Sequence, residues 1–227
     1  MARKPRTPPP PRRVQAPKTR RPDRGGPSRR AVFLIVAALL LAAAVAAGAF
    51  YFLSGGESDE QSLQEAMQAA GCTFETSPAV TAAHIGDDNA TPEEWNTDPP
   101  SSGPHFGVPV IWGEYEDPVQ DARAVHNLEH GGVWISYGDD VPAAEIESIR
   151  RFYRDDPVAM LLSPRPSNGD DIVLAAWFEP AEGEDGEAAG VLAKCPRFDE
   201  DAFTDFREEY RFKSRERFPP DQLEPGE

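Results

Sequence analysis

The chain has 227 residues and a formal net charge of −16, from 23 Lys/Arg against 39 Asp/Glu. That charge is divided unevenly: residues 1–30 hold eleven bases and one acid, residues 31–53 hold none, and residues 54–227 hold 12 bases against 38 acids. This excludes a uniformly acidic globule, a nucleic-acid-binding fold (the bases lie in a tail, not on a folded face) and, for want of any internal period, a repeat protein.

Residues 1–30 are Pro- and Arg-rich with few apolar side chains. Such a segment cannot bury enough surface to offset its chain entropy, so it reads as a disordered cytoplasmic tail. Its bases can clamp anionic lipid headgroups, each adding about 1 kcal/mol near the surface. The prolines at Pro8–Pro11 carry only a faint proline-ligand signal.

Ala31–Leu53 is an uncharged run of 23 residues. As a helix it would reach about 35 Å, enough to cross a hydrocarbon core of about 30 Å. Arg29 and Arg30 hold the N-terminus inside, and Phe50, Tyr51 and Phe52 suit the outer interface. A cleaved signal peptide normally has a shorter apolar core, so the run reads as a single-pass membrane anchor. Small residues around Ala44–Ala49 leave cleavage as the alternative. No Cys follows closely enough for lipid attachment.

The remaining residues read as extracytoplasmic. Residues 54–71 form a juxtamembrane linker and helix: Leu63/Met67 and Ala66/Ala70 are each four apart, and Gly71 is a natural stop. Residues 72–218 form the domain proper, and 219–227 a polar tail. Within the domain, residues 86–121 are dense in Pro and Gly and predict a long irregular loop, ordered by Trp95, Phe106, Trp112 and Tyr115. Asp121–His130 tolerates a short helix ended by Gly131-Gly132. Val133–Tyr137 predicts a strand. Asp139 or Asp140 is placed to cap a helix from Pro142 to about Arg154, with Ile146, Ile149 and Phe152 or Tyr153 on its apolar face. Val158–Ser163 and Asp171–Phe178 predict two strands joined by a Pro/Asn/Gly turn, and Glu179–Gly190 an acidic surface loop. Asp199 can cap a last helix carrying Phe203, Phe206 and Tyr210. The fold class is α+β: a small mixed or antiparallel sheet with flanking helices and a long irregular His/aromatic loop.

All four histidines, His84, His105, His126 and His130, fall between residues 84 and 130. Neutral imidazole is the commonest protein metal ligand. His126 and His130 are spaced i, i+4, so a helix would project both from one face. The four are therefore candidate ligands for a transition metal, copper or zinc. The alternative is separate histidines satisfied by ordinary hydrogen bonds. Residues 126–130 also fit H-x-x-E-H, the inverted zincin pattern, in which Glu129 would activate a zinc-bound water and Glu200, Glu208 or Glu209 would supply a third ligand. Otherwise Glu129 orients an imidazole or forms a salt bridge.

Cys72 and Cys195 are the only cysteines, and outside a membrane such a pair predicts a disulfide tying the first helix to the last. A blue-copper set is excluded, since no His follows Cys195 and Met160 sits in a predicted strand. Cys72 as a ligand beside His84 is the lesser alternative. Ser101 and Ser102 lack a nucleophile turn, and Pro99–Pro104 reads as turn chemistry that positions His105.

Three blocks are distinctive: Asp98-Pro99-Pro100-Ser101-Ser102-Gly103-Pro104-His105, Trp112-Gly113-Glu114-Tyr115, and Val125-His126-Asn127-Leu128-Glu129-His130-Gly131-Gly132-Val133. With Ser163-Pro164 and Ala175-Ala176-Trp177 they resemble the bacterial family called domain of unknown function 3105. The resemblance spans about residues 72–218. It implies a membrane-anchored or exported fold unit and brings no substrate. His105, His126, Glu129 and His130 lie in its motif; His84 precedes it.

The leading expectation is thus a membrane-anchored domain whose histidines bind a transition metal. The second is a non-enzymatic envelope interaction module, with Trp95, Phe106, Trp112 and Tyr115 as an exposed contact surface and a protein partner left unidentified. The third is a zinc-dependent hydrolase built on Glu129. They differ in where the rings point and whether the imidazoles meet.

Overall fold

The computed structural model describes residues 30, 32–34, 59–86, 95–183 and 186–226. The chain divides into two units, Met1–Gly56 and Glu57–Glu227. The anticipated tail and nearly all of the apolar run lie outside the described residues; Arg30 and 32–34 are helical. Among the described residues no helix is long and apolar enough to cross a membrane.

The second unit is a mixed α+β fold. Helix α1 (Asp59–Ala69) ends at Gly71, whose φ of +88° is the left-handed stop that glycine accepts most readily. Then come β1 (Thr73–Pro78), β2 (His84–Ile85), β3 (His105–Phe106), β4 (Gly113–Glu114), α2 (Asp121–Glu129), β5 (Val133–Tyr137), α3 (Ala143–Asp155), β6 (Met160–Pro164), β7 (Ile172–Phe178), β8 (Ala189–Cys195) and α4 (Glu200–Tyr210). Six strands form one sheet in the order β1-β8-β7-β5-β6-β4. The pairs β1/β8, β8/β7 and β7/β5 are antiparallel, while β5/β6 and β6/β4 are parallel.

Alternation along the strands divides the core in two. Val133, Ile135 and Tyr137 of β5 face one cluster, with Leu63 and Met67 of α1, Ile149, Phe152 and Tyr153 of α3, and Phe203 and Phe206 of α4. Trp134, Val173, Ala175 and Trp177 face the other, with Ala124, Val125 and Leu128 of α2 and Trp112 of the long loop. Three helices therefore cover one face, and α2 with the loop covers the other.

Several expectations are corrected. The strands β6 and β7 are joined by the expected turn at Pro166–Asn168 but do not pair: β5 lies between them, because β6 joins β5 in parallel after the α3 crossover. The acidic loop ends earlier than predicted, since Ala189 and Gly190 already belong to β8. Strand β1 has no counterpart among the sequence expectations; its polar sequence TFETSP hides it, because an edge strand needs little burial. Helix α3 takes Pro142 as its N-cap with no side-chain cap bond, so neither Asp139 nor Asp140 caps it. Asp199 does cap α4, accepting from the Ala202 amide. The disulfide Cys72–Cys195 is present. It ties the start of β1 to the end of β8 rather than helix to helix, and it removes Cys72 as a metal ligand.

Candidate metal centre

Two short strands bring the first pair of histidines together. β2 and β3 pair in parallel with His84 opposite His105, and the ring centroids are 5.0 Å apart. The Pro99–Pro104 turns lead into β3, as the sequence suggested. The His105 ring is fully buried, edge-on to Trp177 at 6.1 Å.

Helix α2 brings the rest. It is short, yet seven of its residues are buried, including His126, Asn127 and Glu129, because the sheet lies under it and the loop over it. Asn127 fixes the loop: its amide donates to the Val110 carbonyl at 2.8 Å and accepts from the Val110 amide at 2.9 Å. Gly131 leaves the helix at φ +88°, and a Cβ at Gly132 would collide with the Trp112 ring. The Gly-Gly after the motif is thus a steric requirement of the packing.

Two imidazoles are oriented by main-chain carbonyls. His105 Nδ1 donates to Gly103 O at 2.8 Å, and His126 Nδ1 donates to Phe106 O at 2.7 Å. Each ring is then left with Nε2 as the nitrogen that can bind a metal, the arrangement that outer hydrogen bonds impose on metal-ligating histidines. His84, His105, His126 and Glu129 each offer an atom such that all four lie within 4.8 Å of one another. His105 Nε2 and Glu129 Oε2 are 3.0 Å apart and His84 Nε2 lies 3.9 Å from the same oxygen. Despite that closeness, His105 Nε2 and Glu129 Oε2 have no hydrogen-bond partner. With the His105 proton held on Nδ1 by the Gly103 carbonyl, neither atom has a proton to give the other, so two electron-rich atoms converge on shared space. Donors bound to one zinc at 2.0–2.1 Å sit about 3.3 Å apart in a tetrahedron. His84 is the exposed member, with 58% of its side chain accessible, and its ring stacks on His126 at 5.1 Å.

Burial, with the neighbouring imidazoles, lowers the pKa of His126 below its ordinary value, against the opposing pull of the Phe106 carbonyl. A lowered pKa keeps His126 neutral, the protonation state that a cation requires of a ligand imidazole.

His130 stands apart from this group. Its Nε2 lies 2.9 Å from His126 Nε2 and 3.2 Å from Glu216 Oε2, and its ring packs on Phe218 at 4.4 Å. Burial, then the His126 charge, lowers its pKa to about 4. The sequence set of four histidines is therefore resolved into three plus Glu129, with His130 beside them. The acids proposed for a zincin are elsewhere: Glu200, Glu208 and Glu209 belong to α4, which packs on the other face of the sheet. Among the described residues, the four loop rings do not stand out together as one exposed patch. Phe106 and Trp112 are buried, Trp95 Nε1 donates to Pro104 O, and Tyr115 OH donates to Ile111 O. Asn127 and Glu216 were missed by the sequence reading. Asn127 was visible as an amide between two histidines in an otherwise core-facing helix; Glu216, in an Arg-rich stretch, gave no signal.

Residues 88–224 match the family described as a protein of unknown function (DUF3105). The chain belongs to this family. The matched span carries His105, His126, Glu129 and His130, while His84 and Cys72 lie before it. No curated protein and no solved structure matches the chain.

Proposed function

We propose that this DUF3105 protein is a membrane-anchored, extracytoplasmic metal-binding domain, holding one divalent transition ion through His84, His105, His126 and Glu129. The observation that carries the reading is the convergence of His105 Nε2 and Glu129 Oε2, buried and 3.0 Å apart without a hydrogen bond between them. A cation between them satisfies both. Three imidazoles with one carboxylate suit a borderline ion; Zn(II) comes first and Cu(II) second, whereas Cu(I) would favour sulfur ligands. Four protein ligands close a tetrahedral zinc site, and Glu129 as a ligand is not free to act as a base, which supports holding or delivering the ion over hydrolysis. The basic tail, the 23-residue apolar run and the acidic remainder support a single-pass, N-in arrangement. The Cys72–Cys195 disulfide supports an oxidising compartment outside the membrane.

The test is elemental analysis of the full-length chain, purified in detergent and equilibrated with Zn(II) or Cu(II). One ion per chain is expected, lost or sharply weakened in His84→Ala and in Glu129→Gln. Uptake that is the same in both variants as in the parent protein would overturn the proposal.

A further inference from the structure

The i, i+4 pair is only half used by the centre just described. His126 belongs to the four-residue group, yet its Nε2 is also 2.9 Å from His130 Nε2. On the far side of His130, Glu216 Oε2 approaches the same nitrogen at 3.2 Å. His130 Nε2 thus sits between an imidazole nitrogen and a carboxylate oxygen, both electron-rich, with one proton to serve them. Accessibility falls along this line: Glu216 is 45% exposed, His130 15%, and His126 5%. Two features hold the outer pair in place. The segment after α4 crosses the end of α2, with the Phe212 amide donating to Gly131 O at 2.7 Å and the Glu216 amide to Glu129 O at 3.0 Å. Phe218 then closes on the His130 ring.

We propose that His126 and His130, with Glu216 beside them, form a second cation position, a landing site from which an incoming divalent ion passes to the inner centre. Two nitrogens 2.9 Å apart chelate one ion with bonds of 2.0–2.1 Å at an angle of about 90°. His130 binds as the Nδ1–H tautomer, so the ion takes the place of the proton between the rings and no net charge is lost from either. His126 is the pivot. Its Nδ1 is held by the Phe106 carbonyl, so it has a single nitrogen to offer, and the two positions cannot be filled together. The ion moves by exchanging His130 for His105, Glu129 and His84 while His126 stays bound. Glu216, the most exposed member, supplies negative charge at the entrance and draws cations in.

This inference rests on the inner centre, and the experiment separates the two. The full-length chain in detergent is mixed rapidly with Co(II), whose visible absorption reports its ligands, and titrated separately to equilibrium. In His130→Ala and Glu216→Gln, uptake is expected to slow by about tenfold, with one ion per chain retained. His84→Ala is expected to weaken final binding while the initial step keeps its rate. Glu216→Gln, at an exposed position, guards against misfolding as the cause. Uptake at the parental rate or faster in His130→Ala and Glu216→Gln overturns the landing site while leaving the centre intact, and two ions per parental chain overturns the shared pivot. Absence of any Co(II) or Zn(II) binding by the parental protein overturns both readings.

Discussion

Glu129→Gln tests the centre most directly, because it should move stability and metal binding in opposite directions. In the metal-free protein the Glu129 carboxylate faces His105 Nε2 at 3.0 Å with neither atom hydrogen-bonded. The Gly103 carbonyl keeps the His105 proton on Nδ1, so two lone pairs confront each other in a buried site. A glutamine amide can donate to that nitrogen, and a recovered hydrogen bond contributes about 1 kcal/mol. At about 2–4 °C per kcal/mol for a domain of this size, the midpoint of thermal unfolding in chelator should rise by a few degrees or hold steady. The ion loses a ligand in the same step. Binding of a structural zinc is worth about 10–16 kcal/mol over four ligands, so one ligand carries about 3 kcal/mol, or about two decades in Kd. The parental protein in Zn(II) at 100 times its Kd gains about 2.7 kcal/mol; the variant at the same concentration gains about 0.4. Thermal unfolding with and without Zn(II), on both proteins, reads all four numbers. A variant that loses stability in chelator yet keeps its Zn(II)-dependent gain would refute the reasoning, since Glu129 would then be a structural ion-pair residue.

Three further outcomes follow from the geometry. Reducing Cys72–Cys195 opens a 123-residue cross-link, for which the chain-entropy account gives about 5 kcal/mol, so thermal unfolding in reductant should fall by about 10 °C or more; a shift under about 2 °C would contradict it. Arg165 grips Asp121 at the start of α2 through Nε at 3.2 Å and Nη2 at 2.9 Å, and also reaches Asp98, ahead of the His105 loop, at 2.6 Å. Arg165→Ala should cost about 2 kcal/mol by chemical denaturation and weaken Zn(II) binding, with Arg165→Lys, which keeps charge without the fork, in between. The third concerns pH. His126 and His130 are lowered on folding, the latter to about 4, so between pH 6.5 and about 4 the unfolded chain binds more protons than the folded one. Stability in chelator should be full above pH 6.5 and decline through that window as pH falls; denaturation midpoints at several pH values check the sign.

Much of the frame was legible locally. The β-branched and aromatic run at Val133–Tyr137, the Asp199 cap and the helical spacing of Leu63 and Met67 each encode their element within a few residues, because hydrogen bonding and side-chain alternation act at short range. The i, i+4 spacing of His126 and His130 also brought their rings together, His130 being the C-cap of α2, and the two cysteines fixed their own pairing by being the only ones. Strand order was different. Whether β6 joins β7 or leaves room for β5 depends on which faces bury together across the whole sheet, and no local pattern records that.

The sequence alone determined the ligand types, their confinement to one stretch, and the sharp charge division between the ends. Only tertiary structure decided which of them meet. The opposition of His84 and His105 is a register between two-residue strands 21 positions apart, and it is held by long-range packing rather than by any propensity of those residues. Glu129 turns inward while His130 turns to Glu216 because α2 ends between them, so consecutive side chains leave on different headings. Convergence of donors is a property of three-dimensional packing, and a one-dimensional spacing rule cannot contain it.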